Sequence, residues 1–236
     1  MFAIILKLCF IQALNTVTSV APMFEPKIHG MSGLVSSILN APQQGQRRVV
    51  AIAGPPGSGK STIAKALVPL VGQAGVIAQV VPMDGFHLDN SILLERNLID
   101  VKGSPDTFDV RGFAELISRL GTEPEIIFPK FDRDKDLAIA GSGFVSEECD
   151  LVLVEGNYLL LDAPFWRDLW KYWDFSVFLD VEPKLLQERL MQRWLDQGLP
   201  LDQAKKRVND NDLVNLKTVV CSSSVADFTF SNSSLN

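Results

Sequence analysis

Cysteine is scarce in this chain and histidine scarcer still. The 236 residues hold three cysteines, Cys9, Cys149 and Cys221, widely spaced and without a CxxC pair. An odd, scattered set excludes a disulfide framework and a thiolate zinc site, and it fits a reducing, cytoplasmic compartment. With His29 and His87 as the only histidines, a His-rich metal centre is excluded as well. Positive charge is also in deficit: 22 Lys and Arg against 28 Asp and Glu give a formal net charge of −6. That balance opposes nonspecific nucleic-acid binding across the surface, though it leaves room for a local basic site. Residues 184–217 hold such a local excess, seven Lys or Arg against five Asp or Glu. Internal repeats and low-complexity tracts are absent.

What is present has the profile of a soluble globular protein, with 47% hydrophobic and 21% charged residues. The length suits one well-buried α/β domain, and two full domains would be cramped. The first 14 residues, MFAIILKLCFIQAL, are apolar with one charge, Lys7. That run falls short of the roughly 20 residues that cross a bilayer, so no membrane association is expected. Ser19-Val20-Ala21 resembles a signal-cleavage site. The charge-poor start argues instead for a dispensable extension or a start placed too early, with Met23 and Met31 as alternative starts. The expected organisation is an N-terminal extension over 1–30 and a single domain over 31–236.

Along that domain, Asn40 to Gln46 reads as a polar linker. Arg48 to Ala53 is a buried strand stopped by Gly54. Ser61 to Leu70 has helical spacing, with Ile63, Ala64, Leu67 and Leu70 on one side. Further apolar runs at Val76–Pro82, Leu151–Val154, Phe175–Leu179 and Ala226–Phe230 predict four more strands. Helices are predicted at Phe113–Leu120, Pro183–Trp194 and 202–219. Strands alternating with helices predict a mostly parallel five-stranded sheet covered on both faces, a three-layer α/β/α arrangement. Ligands of such sheets sit beyond the carboxyl ends of the strands.

One of those ends carries Gly54-Pro55-Pro56-Gly57-Ser58-Gly59-Lys60-Ser61-Thr62, which matches GxxxxGK[ST] between a strand and a helix. Glycines at 57 and 59 permit backbone angles that turn successive N–H groups inward. The helix start adds unpaired N–H groups and the positive end of its dipole. Lys60 is a point charge for β- and γ-phosphates, and the Ser61 hydroxyl is a ligand for Mg²⁺. This pattern implies a P-loop NTPase fold and nucleotide binding. By itself it does not separate kinase, ATPase and GTPase.

Asp84 opens Asp-Gly-Phe-His87 after the second strand. Transfer of a phosphoryl group to an alcohol needs a group that takes the hydroxyl proton, and Asp84 is the candidate base. A turn-forming Asp-Gly pair is the alternative. His87 is a candidate acceptor contact or a structural hydrogen bond. Glu155 tips an apolar strand in the manner of a Walker B acid that helps hold Mg²⁺; a capping or exposed glutamate is the alternative. Asn157 and Tyr158 follow on the same loop.

Arg189 and Arg193 are four apart on a predicted helix and share a face. Gly198-Leu-Pro-Leu offers a hinge, and Arg207 follows on the next helix. A mobile helical lid carrying these arginines would close over the phosphates and exclude water. A solvated charged face is the plainer reading. Residues 88–112 and 129–143 show no clear secondary structure and mix aromatic with charged residues. They are expected to form the acceptor wall, with Asp132 and Arg133 foremost. An ion pair that merely shapes the loop is the alternative.

These residues together resemble the phosphoribulokinase/uridine kinase family of P-loop kinases, which includes the bacterial-type pantothenate kinases. The resemblance runs from about Arg47 to Phe230. It rests on Gly54–Thr62, Asp84–His87, Pro129-Lys-Phe-Asp-Arg133, Glu155-Gly-Asn-Tyr-Leu-Leu160 and the Arg189/Arg193 helix. Within the family the chain looks most similar to the nucleoside/nucleotide-kinase-like branch that includes fructose-transport kinases. Where uridine kinases have Asp-Ser-Phe-Tyr, this chain has Asp-Gly-Phe-His. The resemblance implies that Asp84 is the base, that Ser61 and Glu155 lie around Mg²⁺, and that a lid arginine reaches ATP.

The expected activity is transfer of the ATP γ-phosphoryl to a hydroxyl of a sugar, nucleoside or pantothenate-like alcohol. A nucleotide-switched ATPase or regulatory protein is the alternative. A GTPase is disfavoured because no Asn-Lys-x-Asp motif occurs; Asn209-Asp-Asn-Asp lacks the lysine. The expected partner is a small hydroxyl acceptor rather than nucleic acid or membrane, and a homodimer is compatible with such a fold.

Overall fold

The computed structural model describes residues 30–231. The expectations for residues 1–29, including the leader and alternative-start readings, lie outside the described residues. In chain order the elements are α1 (Met31–Asn40), β1 (Arg48–Ala53), α2 (Lys60–Gly72), β2 (Ala78–Pro82), a 3₁₀ turn (Met83–Phe86), α3 (Asn90–Glu95), α4 (Val110–Leu120) and β3 (Ile126–Asp132). Then follow β4 (Leu137–Val145), β5 (Leu151–Gly156), β6 (Phe175–Asp180), α5 (Pro183–Asp196), α6 (Leu201–Arg207), a π turn (Val208–Asp212), α7 (Leu213–Ser222) and β7 (Phe228–Ser231).

Five strands form one sheet in the order β2-β5-β1-β6-β7, every pair parallel. The central strands β1 and β5 are buried on both faces, which is why they read as unbroken apolar runs rather than alternating ones. Their side chains divide by the two-residue period of a strand. Val49, Ala51, Val152 and Val154 pack into the core that includes Phe113 and Ile126. Val50, Ile52, Leu151 and Leu153 pack against Ile63 and Leu67 of α2. Helix α1 completes that second core through Leu34 and Ile38, both fully buried. Each such side chain contributes about 2 kcal/mol relative to exposure, so α1 is an integral layer.

Several elements differ from the sequence reading. The segment 88–112 holds α3 and two short 3₁₀ turns, and α4 begins at Val110, three residues earlier than its apolar spacing suggests. Asp109 caps it by accepting from the Gly112 N–H, and Asp89 caps α3 in the same way from Ser91. Residues 129–143, read as loop, fall within the antiparallel hairpin β3–β4. The helix predicted over 202–219 is interrupted by the π turn. Among the described residues no helix is long and apolar enough to cross a membrane.

Arg47 anchors this hairpin to the sheet. Only 2% of its surface is exposed, and its guanidinium donates to the carbonyls of Leu120, Glu123, Pro124 and Cys149. Those acceptors come from the end of α4, the approach to β3 and the approach to β5.

Candidate active site

The parallel register aligns the tips of three strands. Ile52 and Pro82 both lie opposite Glu155, so the phosphate loop after β1, the turn after β2 and the end of β5 share one edge. In the loop, Gly57 and Gly59 take φ of 78° and 88°, the left-handed region that side chains avoid. A Cβ on Gly57 would also press on Leu190 of α5 at 3.2 Å. Gly59 is the N-cap of α2, so Lys60 and Ser61 open that helix with its unpaired N–H groups facing the loop.

Lys60 is buried, and its Nζ donates to the Pro55 carbonyl at 3.0 Å. Burial lowers its pKa to about 8, against the opposing pull of Glu155 and Asp84. An ammonium this desolvated suits a polyanion, whose charge would replace the lost water. Ser61 Oγ donates to Glu155 Oε1 at 2.9 Å. Burial, reinforced by Asp84, raises the Glu155 pKa. Among the described residues no cluster of three or more His, Cys, Asp or Glu could cage a metal alone. One carboxylate and one hydroxyl are nevertheless enough for the protein share of a Mg²⁺ site, since that ion takes most of its octahedron from phosphate oxygens and water. Ser61 and Glu155 fit the ion in that sense.

Asp84 sits in the 3₁₀ turn after β2 and lines the same cleft. Arg133, from the β3–β4 hairpin, donates to its Oδ2 at 2.8 Å. The hairpin reaches this turn because residue 85 is glycine: a Cβ there would collide with the Pro129 carbonyl. His87 follows, its ring 4.1 Å from Phe108 and 4.7 Å from Phe131 between centroids. Burial lowers its pKa below 6.5.

The far side of the cleft is helical. Arg189 and Arg193 of α5 line it, as does Arg207 at the end of α6. Arg193 donates to Asp212 Oδ1 at 3.3 Å, and Trp194 Nε1 donates to Asp212 Oδ2 at 2.6 Å. Both Arg193 and Arg207 lie over the Trp194 ring, 4.9 and 5.3 Å from its centroid. The Nε atoms of these two arginines are buried without a hydrogen-bond partner among the described residues. With Asp212 in contact with Arg193 alone of the two, both guanidiniums keep N–H capacity for an anion.

The cleft so enclosed measures about 670 Å³. Of the residues expected from sequence, Pro56, Gly57, Gly59, Lys60, Ser61 and Thr62 line it on the loop side. Asp84, His87, Arg133, Glu155 and Asn157 line it elsewhere, with Arg189 and Arg193 opposite. Gly54, Pro55 and Ser58 complete the loop behind that surface. Asp132 is the exception. Its carboxylate accepts from the N–H groups of Asp134 and Lys135 and pairs with the Lys135 ammonium at 3.1 Å, so it caps the hairpin turn. Asp136, four residues on, enters the cleft in its place.

Other lining residues were not singled out individually from sequence, although Lys102, Phe108 and Phe131 fall within the segments expected to form the acceptor wall. Lys102, Phe108 and Phe131 stand beside His87. The π turn delivers Asn211 and Asp212, and Asn215 follows one turn later. Regular α-helical winding would place 207, 211 and 215 on one stripe; the wider turn adds 212 to it.

A phosphate loop, a strand-tip acid pair and an arginine lid around one cleft define a P-loop kinase. Comparison with known proteins agrees. The model of the Phosphoribulokinase / Uridine kinase family matches residues 49–212, and the chain belongs to that family. It is 34% identical over 219 residues to the Escherichia coli (strain K12) protein YggC, itself named as uncharacterised, covering 92% of this chain and 89% of that one. It is 30% identical over 207 residues to a Schizosaccharomyces pombe protein named provisionally as uridine kinase C227.14, covering 82% of this chain and 87% of the relative. A crystal structure from Silicibacter sp. TM1040, named provisionally as a fructose transport system kinase, superposes with a TM-score of 0.83 at 46% identity. That superposition covers 86% of this chain and 99% of that one.

Proposed function

We propose that this kinase moves the γ-phosphoryl of ATP to a hydroxyl of a small metabolite, with Asp84 as the base. The observation that carries the reading is the convergence of Asp84, Lys60, Ser61 and Glu155 on one cleft beneath the arginine lid. ATP is the donor substrate, and its phosphates lie along the N–H groups of the loop from Gly54 to Thr62. Lys60 holds the β- and γ-phosphates. Ser61 and Glu155 would hold Mg²⁺, which would supply neutralisation of the phosphate charge.

Asp84 takes the proton of the acceptor hydroxyl as that oxygen forms its bond to the γ-phosphorus and the bond to ADP breaks. Arg133, donating to Asp84 Oδ2 at 2.8 Å, aims the carboxylate before the acceptor arrives. Arg193, with Arg189 beside it, meets the charge on the transferring group, and closure of α5 and α6 excludes water that would otherwise compete. His87, Arg133 and Asn157 border the acceptor.

The reading is tested by following ATP turnover with and without a pool of sugars, nucleosides and pantothenate, with identification of the phosphorylated product. Acceptor-stimulated turnover that falls at least about 100-fold in Asp84→Asn, with ATP affinity within a few-fold, is the expected result. Turnover that no acceptor stimulates would point to a nucleotide-switched ATPase instead.

A further inference from the structure

Arg133 is only partly spent. Its side chain is half-exposed in the cleft, and of its five N–H donors one is used, on Asp84 Oδ2 at 2.8 Å. Among the described residues no other hydrogen bond holds this guanidinium, and Asp84 Oδ1 stays open to an acceptor hydroxyl. The other cations of the cleft are placed differently. Lys60 reaches back to the Pro55 carbonyl on the phosphate loop, and Arg193 is tied to Asp212 on the helical bank. Arg133 is the cation that touches the candidate base, and Lys60, Glu155 and Arg193 all lie within its electrostatic reach.

The turn that carries Arg133 is fastened at both ends. It joins β3 to β4, and Asp132 caps its start by accepting from the N–H groups of Asp134 and Lys135. Asp136 closes it with φ of 54°, the left-handed region that a residue with a Cβ enters at a cost. In that conformation the Asp136 carbonyl and carboxylate both meet the buried Lys102 ammonium, at 3.0 and 2.8 Å. Asn90 completes the lock, accepting from Lys102 at 2.7 Å and donating to Asp136 Oδ2 at 2.9 Å. A strained residue held by a buried cation keeps the turn, and Arg133 with it, against the cleft.

An acceptor hydroxyl that gives its proton to Asp84 sits about 2.6–3.2 Å from the carboxylate, and the phosphorus it attacks lies about 3–3.5 Å further on. A guanidinium already bonded to that carboxylate has a phosphoryl oxygen within reach of its planar fork. We propose that Arg133 is a catalytic residue, which keeps one N–H on Asp84 and gives another to an oxygen of the γ-phosphoryl group as it passes to the acceptor. The inference rests on the kinase reading above and adds to it a direct contact with the transferred group. In the step, the hydroxyl proton goes to Asp84 and the acceptor oxygen bonds to phosphorus. The bond to ADP breaks with its electron pair left on ADP. Arg133 loses no proton; it meets the charge on the phosphoryl oxygens from the acceptor side, as Arg193 does from the lid.

The test needs no acceptor. Aluminium fluoride bound with Mg·ADP imitates the phosphoryl group in transfer, so the tightening of ADP by fluoride reports the donors aimed at that group. Calorimetric titration of the full chain with ADP, with and without aluminium fluoride, should show about 100-fold tightening in the native protein. Arg133→Ala should lose at least about tenfold of it, with ADP alone bound within threefold of native. Arg133→Lys, which keeps the charge without the fork, should fall between the two. In an Asp84→Asn background the loss on Arg133→Ala should persist, which a residue acting only through Asp84 would not show. Equal tightening in the native and Arg133→Ala proteins, or a loss that vanishes in the Asp84→Asn background, would overturn the inference and leave the kinase reading standing. Absence of tightening in the native protein would overturn it too. The kinase reading falls separately, when no acceptor in the pool of sugars, nucleosides and pantothenate stimulates ATP turnover.

Discussion

Asp212 holds Arg193 and Trp194 at the same time, one through each carboxylate oxygen, at 3.3 and 2.6 Å. Its side chain is 7% exposed, and burial raises its pKa against the pull of its partners. The pair therefore fixes where the Arg193 guanidinium can point. Asp212→Asn is expected to weaken a non-hydrolysable ATP analogue about tenfold, the ~1.4 kcal/mol of one charge-assisted hydrogen bond, and to leave ADP nearly unchanged. Calorimetric titration measures both. In an Arg193→Ala background the same substitution should have no further effect on the ratio; an additive effect would separate the two residues.

Glu155 and Ser61 are the residues proposed to hold Mg²⁺, and they touch each other at 2.9 Å. Glu155→Gln should raise the Mg²⁺ concentration for half-maximal ATP turnover about tenfold, and Ser61→Ala should do so by a smaller factor. Unchanged Mg²⁺ dependence in both variants would move the ion elsewhere in the cleft.

His87 makes stability depend on pH. Its pKa is depressed by burial, so the unfolded chain binds the proton more readily than the folded one. The contribution is complete above the unfolded value of 6.5 and is lost as pH falls through the lower folded value. Melting temperature should fall as pH drops below 6.5 more steeply in the native chain than in His87→Gln. Superimposable profiles would show that His87 is not a source of the dependence.

Arg47 is buried without a carboxylate and serves at least four carbonyls. Arg47→Met should cost roughly 3–5 kcal/mol in chemical denaturation, because those carbonyls lose their donors together. Arg47→Lys should recover little, since three N–H groups on a flexible stem cannot reach the same set. Near-native stability in the Met variant would mean that water replaces the guanidinium.

The parts of this molecule that sequence makes visible are those built from neighbours in the chain. The phosphate loop is one continuous stretch with glycines at 57 and 59 fixed by local backbone geometry. Asp84 and Glu155 stand just past apolar strands, so their strand-end position could be read directly. Asp132 and Asp136 show the limit. Both lie by the same hairpin turn, and only the three-dimensional path of that turn decides which carboxylate caps it and which enters the cleft. The hairpin itself was hidden because its exposed Ile127 and Phe144 are apolar and its buried Gly143 has no side chain, so alternating burial leaves no apolar–polar alternation in the sequence. Lys102 meets Asn211 across more than a hundred residues, a contact no spacing encodes. The π turn leaves no mark either, since its five residues continue a helical pattern on both sides.

The carbonyls around Arg47 belong to the sheet's approach and to both ends of the segment that carries the hairpin. One pin through several chain segments ties the hairpin, whose Phe131 faces His87, to the strand that leads into the phosphate loop. An acceptor would therefore land on a floor braced from beneath, facing the helical bank that carries Arg189, Arg193 and Arg207.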